Sequence, residues 1–270
     1  MRNIKLSARG GSHWTTKLAT LMVGTVLSCG VANAAPLDPY EDEGPYSTTR
    51  ELGLSCTVFR PSNLTGDHPI VVWGNGTGTT PTAYRRGLEH WASWGFVVAA
   101  ANTSNAGTGQ DMLDCIGHLQ SRGYASQLDF SAIGASGHSQ GGGGTIMAGR
   151  DSRITATVPV QPYILGLGHD TTSQYQQTAP MLLLSGSFDV LAGPLLNQRP
   201  VYQRVDVPVF WAERTAATHF EPVGDFGDFK GITTAWWLYQ LSGDSSAADL
   251  FTGPCTACNL FGWDIERKNF

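Results

Sequence analysis

The sequence predicts an α/β protein with a mainly parallel central sheet flanked by helices on both faces. Three observations carry this. Apolar runs of the kind buried on both faces recur at 69–73 (PIVVW), 95–101 (GFVVAAA), 156–159 (ATVP) and 181–184 (MLLL). Stretches with helical spacing alternate with them. Glycine is plentiful, at 33 of 270 residues, which suits many tight strand-to-helix turns.

In chain order, the first residues read as an export signal. Arg2, Lys5, Arg9 and Lys17 form a positive segment without acidic residues. An apolar run of roughly 14 residues follows, too short for a comfortable bilayer span. Ala32, Asn33 and Ala34 then offer a small-x-small cleavage site. Cleavage near Ala34 would deliver the chain to the periplasm or the exterior, leaving about 235 residues as one domain over 35–270. Cys29 opens the alternative of a lipoprotein anchor, which Val26, Leu27 and Ser28 fit poorly. No other stretch is apolar enough to cross a membrane.

Residues 36–50 are polar and without periodicity, and are expected to wrap the surface. Strands are predicted at 55–60 and 69–73, a helix at 81–94 with Pro81 in its first turn, and a strand at 95–101. A helix at 108–121, a strand at 131–135 and a small-residue helix at 141–150 follow. Runs at 156–159, 181–184 and 207–211 complete the strands, and helices are expected at 229–241 and 247–251.

A net charge of −5 with no basic block gives nucleic-acid binding no electrostatic support. Without the leader, four cysteines remain, an even number that suggests two disulfides in an exported chain. Cys255 and Cys258 are close enough to pair locally, which leaves Cys56 with Cys115. A redox motif should open a helix after a strand, whereas Gly253 and Pro254 precede this pair; zinc would need further ligands nearby.

The sharpest motif is Gly137, His138, Ser139, Gln140 and Gly141, a G-x-S-x-G between a predicted strand and a small-residue helix. That is the setting of a nucleophile elbow, where serine occupies a cramped turn and glycine two positions either side avoids collisions. A serine hydroxyl needs a base, itself oriented by a carboxylate, and in this architecture the chain order is Ser, Asp or Glu, then His. Of the two histidines after Ser139, His219 follows a strand and precedes the last long helix, whereas His169 lies in a loop. Asp189 ends the 181–184 run at the edge where such sheets place ligands, with Asp206, Glu213 and Asp225 as fallbacks. The oxyanion donors are expected to be the amides of Gln140 and Gly76, the latter in the loop after 69–73. That loop lacks the lysine of a phosphate-binding motif.

Gly137 to Gly142, with Asp189 and with Thr218, His219 and Phe220, resembles cutinase-like polyester hydrolases and the related chlorophyllase-like, dienelactone-hydrolase-like esterases. The segment 95–103 is similar to the strand those enzymes place beside the oxyanion loop. The resemblance spans about residues 45–265 and implies an α/β-hydrolase fold with no large lid, acting on esters without cofactor or metal. Ser139, Asp189 and His219 match the family's triad, and Gln140 stands where polyester hydrolases usually carry Met. Asn75, Gly76 and Thr77 stand where they carry Pro-Gly-aromatic, and Tyr163 where they often carry Trp. One wall of the aromatic clamp is therefore missing.

The expectation is a secreted, monomeric serine carboxylic-ester hydrolase acting on a polyester or a small to medium-chain ester. Thr77 and Tyr163 would line its acyl pocket. An acyltransferase that passes the acyl group to an alcohol, and an inactive binding protein on the same fold, are the alternatives.

Overall fold

The computed structural model describes Met1 and residues 36–270. The remainder of the expected leader, with Cys29, lies outside the described residues. Nine strands form one sheet in the order β1-β2-β4-β3-β5-β6-β7-β8-β9. They are β1 (Thr48–Leu52), β2 (Cys56–Pro61), β3 (His68–Gly74), β4 (Val97–Ala101), β5 (Leu128–His138), β6 (Ala156–Val160), β7 (Met181–Gly186), β8 (Val209–Arg214) and β9 (Trp263–Lys268). Strands β4, β3, β5, β6, β7 and β8 run parallel, and the outer strands β1, β2 and β9 pair antiparallel.

Side-chain alternation sorts each central strand between two layers. Val71 and Trp73 of β3, with Val98 and Ala100 of β4, face one core. Ile70 and Val72, with Val97 and Ala99, face another. The first core is bordered by the short α1 (Asp38–Glu41) and covered by α2 (Arg85–Ser93) through Leu88 and Trp91, and by α6 (Phe229–Ser242) through Ile232, Trp236 and Trp237. On the other side α3 (Gln110–Gln120) brings Met112, Ile116 and Leu119, α4 (Gln140–Ala148) brings Ile146, and α5 (Gln198–Arg204) brings Val201. The result is the expected α/β arrangement, a mainly parallel sheet covered on both faces.

Three segments depart from expectation. The surface-wrapping stretch 36–50 gives way at Thr48 to β1, an edge strand whose residues are half-buried or exposed. After the cysteine loop, where no element was foreseen, β9 closes the opposite edge. The terminal helix predicted at 247–251 is a single turn over Ser245–Ala248, capped by the Asp244 carboxylate, which accepts the Ala247 N–H at 2.9 Å.

Cys56 and Cys115 are bonded, tying β2 to α3, and Cys255 is bonded to Cys258. The chain leaves β3 for β4 on one side and returns to β5 on the other. The carboxyl ends of β3 and β5 therefore flank a topological switch, where sheets of this kind open a crevice.

Candidate active site

Ser139 sits at that crevice, between the end of β5 and the start of α4. Its backbone is at φ 57° and ψ −117°, a strained conformation for a residue with a Cβ. Gly137 and Gly141 make the turn possible. A Cβ on Gly137 would run into the Gly141 carbonyl, and one on Gly141 into that of Gly74. The turn is pinned by Ser139 N–H donating to the Val160 carbonyl at 3.0 Å, while the Ser139 carbonyl accepts from Tyr163 N–H at 2.9 Å.

The structure brings the three residues singled out for nucleophile, base and carboxylate into one line. His219 Nε2 lies 2.9 Å from Ser139 Oγ, and His219 Nδ1 lies 2.7 Å from Asp189 Oδ2. Asp189 stands just past the carboxyl end of β7, and His219 beyond that of β8. The other Asp189 oxygen accepts the amides of Leu191 at 2.9 Å and Ala192 at 2.7 Å. Both lone-pair faces of this buried carboxylate are thereby occupied. With Nδ1–H donated to Asp189, Nε2 is left as a bare acceptor facing the Ser139 hydroxyl.

The other candidates are engaged elsewhere. His169 pairs with the Gly143 carbonyl and Gln174 beside α4. Glu213 accepts from Ser185 Oγ at 3.1 Å, Asp225 faces Arg86 at 3.9 Å, and Asp206 precedes β8 at the opposite edge of the sheet.

Gly76, expected as an oxyanion donor, does not present its amide to the crevice. The amide of Gly76 is turned inward and donates to the Tyr84 hydroxyl at 3.1 Å. The Gly76 carbonyl is held by Thr79, whose Oγ1 donates at 2.7 Å and whose N–H donates at 3.1 Å. In a trans peptide the N–H points opposite the C=O. The next amide, that of Thr77, is therefore directed away from Thr79. It has no acceptor among the described residues. The amide of Gln140 opens α4 and has no intrahelical partner.

The Gln140 side chain, 2 % exposed, fastens three loops. Its Oε1 accepts from Thr77 Oγ1 at 3.1 Å, and its Nε2 donates to the Leu167 carbonyl at 2.9 Å and to Asn105 Oδ1. Ser139 and His219 open onto a cleft of about 280 Å³. Thr77 and Tyr163 are among the residues that line it, and Leu167, Leu191, Phe220 and Val223 add an apolar wall. No Lys, Arg, Asp or Glu is among the lining residues.

Tyr84 and His138 also border the cleft and were not singled out from sequence. His138 occupied a variable position of the elbow motif, and nothing around Tyr84 distinguishes it from a core tyrosine. Burial pushes the His138 imidazole down to about 3, and the neighbouring His219 adds to the effect.

Comparison with known proteins adds the family. Residues 53–246 match the PET hydrolase-like family model. Cutinase cut1 of Thermobifida fusca is 27% identical over 286 residues, covering 94% of this chain and 86% of the relative. Cutinase est2 of Thermobifida alba is 28% identical, covering 83% and 78%. The bis(hydroxyethyl) terephthalate hydrolase of Streptomyces coelicolor is 28% identical, covering 87% and 83%. With its open, mainly parallel sheet and its extended match to that model, the chain belongs to the PET hydrolase-like family, carboxylic ester hydrolases of the α/β-hydrolase fold.

Proposed function

We propose that the chain is a secreted serine hydrolase that cleaves neutral, apolar esters, aliphatic polyesters among them, through Ser139, His219 and Asp189. The observation that carries it is the unbroken line from Asp189 Oδ2 through His219 to Ser139 Oγ, at 2.7 and 2.9 Å. Ser139 Oγ attacks the ester carbonyl and its proton passes to His219 Nε2; Asp189 steadies the imidazolium. The amides of Gln140 and Thr77 receive the oxyanion. The alcohol departs with the proton from His219. Water then attacks the acyl-enzyme, giving its proton to His219, and the acid leaves as Ser139 regains its hydroxyl.

The cleft wall without charged residues favours an uncharged acyl group. On the segment that carries the cleft residue Leu191, Phe188, Val190, Leu195 and Leu196 stand exposed. A rim of that kind favours contact with a polymer surface over a freely soluble ester. Thr77 brings no ring to the cleft and the Phe220 ring stands exposed at its wall, which leaves Tyr163 as the more enclosed ring and favours aliphatic chains over terephthalate. The basic, apolar leader and the two disulfides support export, with residues 35–270 as the mature catalytic domain.

The test is turnover of p-nitrophenyl esters of graded chain length, alongside polyester films. Ser139→Ala should fall to background and lose labelling by a fluorophosphonate. Retained turnover in Ser139→Ala would defeat the proposal. Film erosion restricted to aromatic polyesters would overturn the aliphatic preference.

A further inference from the structure

We propose that Tyr84 is a positioning residue for this reaction: its hydroxyl links the loop after β3 to the backbone of His219, through His138, in one chain of hydrogen bonds with a fixed proton order. The inference rests on the roles given above to Ser139 and His219.

The order follows from what each atom can do. The His219 carbonyl can only accept, so His138 Nε2, 2.9 Å away, donates to it. A neutral imidazole has a single N–H, which leaves His138 Nδ1 bare, and Nδ1 takes the Tyr84 hydroxyl proton at 2.9 Å. The Tyr84 oxygen in turn accepts Gly76 N–H at 3.1 Å. Neutrality of His138 is enforced by its enclosure, at 3% exposure.

Both ends of the chain are backbone groups beside the reacting atoms. At one end is the amide of Gly76, directly before the Thr77 peptide that Thr79 orients from its carbonyl side. At the other is the carbonyl of the base itself. The preceding carbonyl, of Thr218, accepts from Gln161 Nε2 at 2.9 Å. The base is thus held at two consecutive peptide oxygens, and only one of these ties runs back to the oxyanion loop. Tyr84 is the member that makes this connection. Its ring packs against Trp73 at 5.0 Å between centroids, which holds the hydroxyl in place. If Tyr84 served only to fill the core, its hydroxyl would be incidental to turnover.

Tyr84→Phe keeps the ring and removes only the hydroxyl. We expect kcat on a soluble p-nitrophenyl ester to fall by about 10- to 100-fold with KM within about twofold, since small misplacements of reacting groups cost rates of that order. His138→Phe should behave alike, and the double variant should be no slower than the slower single one, because links of one chain fail together. Nitrogen NMR of the wild type should find His138 protonated at Nε2 and His219 at Nδ1. Wild-type kcat in Tyr84→Phe overturns the proposal, as do losses that multiply in the double variant, a His138 protonated at Nδ1, or an effect confined to melting temperature. Ser139→Ala assayed in parallel separates the two levels. Residual turnover there removes the serine mechanism itself, whereas an inert Ser139→Ala beside a fully active Tyr84→Phe removes only the chain.

Discussion

At the floor of the cleft Asp189, His219, His138 and Gln140 are 5%, 6%, 3% and 2% exposed, and each is hydrogen-bonded on both sides. At its mouth Leu167, Leu191, Phe220 and Val223 stand 49%, 54%, 66% and 43% exposed. Under the proposed function, the contrast follows from what each region has to do. Proton transfer demands fixed distances between particular atoms, which only directional bonds in a buried setting supply. Holding an apolar chain demands area, which is non-directional and tolerant of shape. The floor is therefore sensitive to single atoms and the mouth to total surface.

The sharpest way to break this contrast is Asp189→Asn. It preserves shape but cannot hold His219 in the required tautomer, and kcat should fall by about 10,000-fold. Steady-state kinetics with a short p-nitrophenyl ester would check it, and a loss below about tenfold would deny the floor its sensitivity. A smaller effect is expected behind the site. Replacing Cys56 and Cys115 together by Ala opens a covalent loop with a sequence separation of 59. The loop-entropy model puts the cost at about 4 kcal/mol, or roughly 10 °C in melting temperature for a chain of this size. Thermal unfolding should register that loss while kcat at 25 °C stays unchanged.

The floor should also make the protein acid-sensitive. His138 in the unfolded chain takes a proton near pH 6.5, but in the fold only at about 3, so the unfolded state binds more protons between these values. Stability is unaffected above pH 6.5 and declines by about 1.4 kcal/mol per pH unit below it. Burial lowers His90 and His169 as well, with the same sign. Melting temperature should fall steadily from pH 6.5 to pH 4, and a flat profile would contradict the buried, neutral state. The smallest effect belongs to the rim. The triple variant Val190→Ser, Leu195→Ser, Leu196→Ser should slow film erosion about threefold to tenfold by reducing apolar contact area. It should leave kcat/KM for a soluble ester within about twofold, and equal losses on both substrates would erase the distinction between mouth and floor.

Legibility in the sequence follows the same division. Central strands such as β4 and β7 were readable because parallel strands buried on both faces are continuous apolar runs. The edge strands β1 and β9 were not. Their residues are half in solvent, as in TTREL and WDIERK, and they become strands only because β2 and β8 lie ready to pair with them. Ser139, Asp189 and His219 could be placed from chain order, because each follows a readable strand. The Tyr84 to His138 contact spans 54 positions and depends on how the turn before α2 closes over the elbow. The inward turn of the Gly76 amide has the same origin: Tyr84 and Thr79 set the directions of its N–H and C=O, and no local pattern reports that.

The helix that follows Ser139 begins with Gln140 and four consecutive glycines. Each glycine disfavours an isolated helix by about 1 kcal/mol relative to alanine, so this segment is a poor helix on its own. It becomes helical where neighbouring backbones close around it, from Gly74, Ala106 and Pro162. The bend at Ser139 is therefore held by tertiary packing and not by the helix propensity of its own segment. A fragment stripped of the backbones at Gly74, Ala106 and Pro162 would lose the elbow first, while the apolar strands kept their own preference.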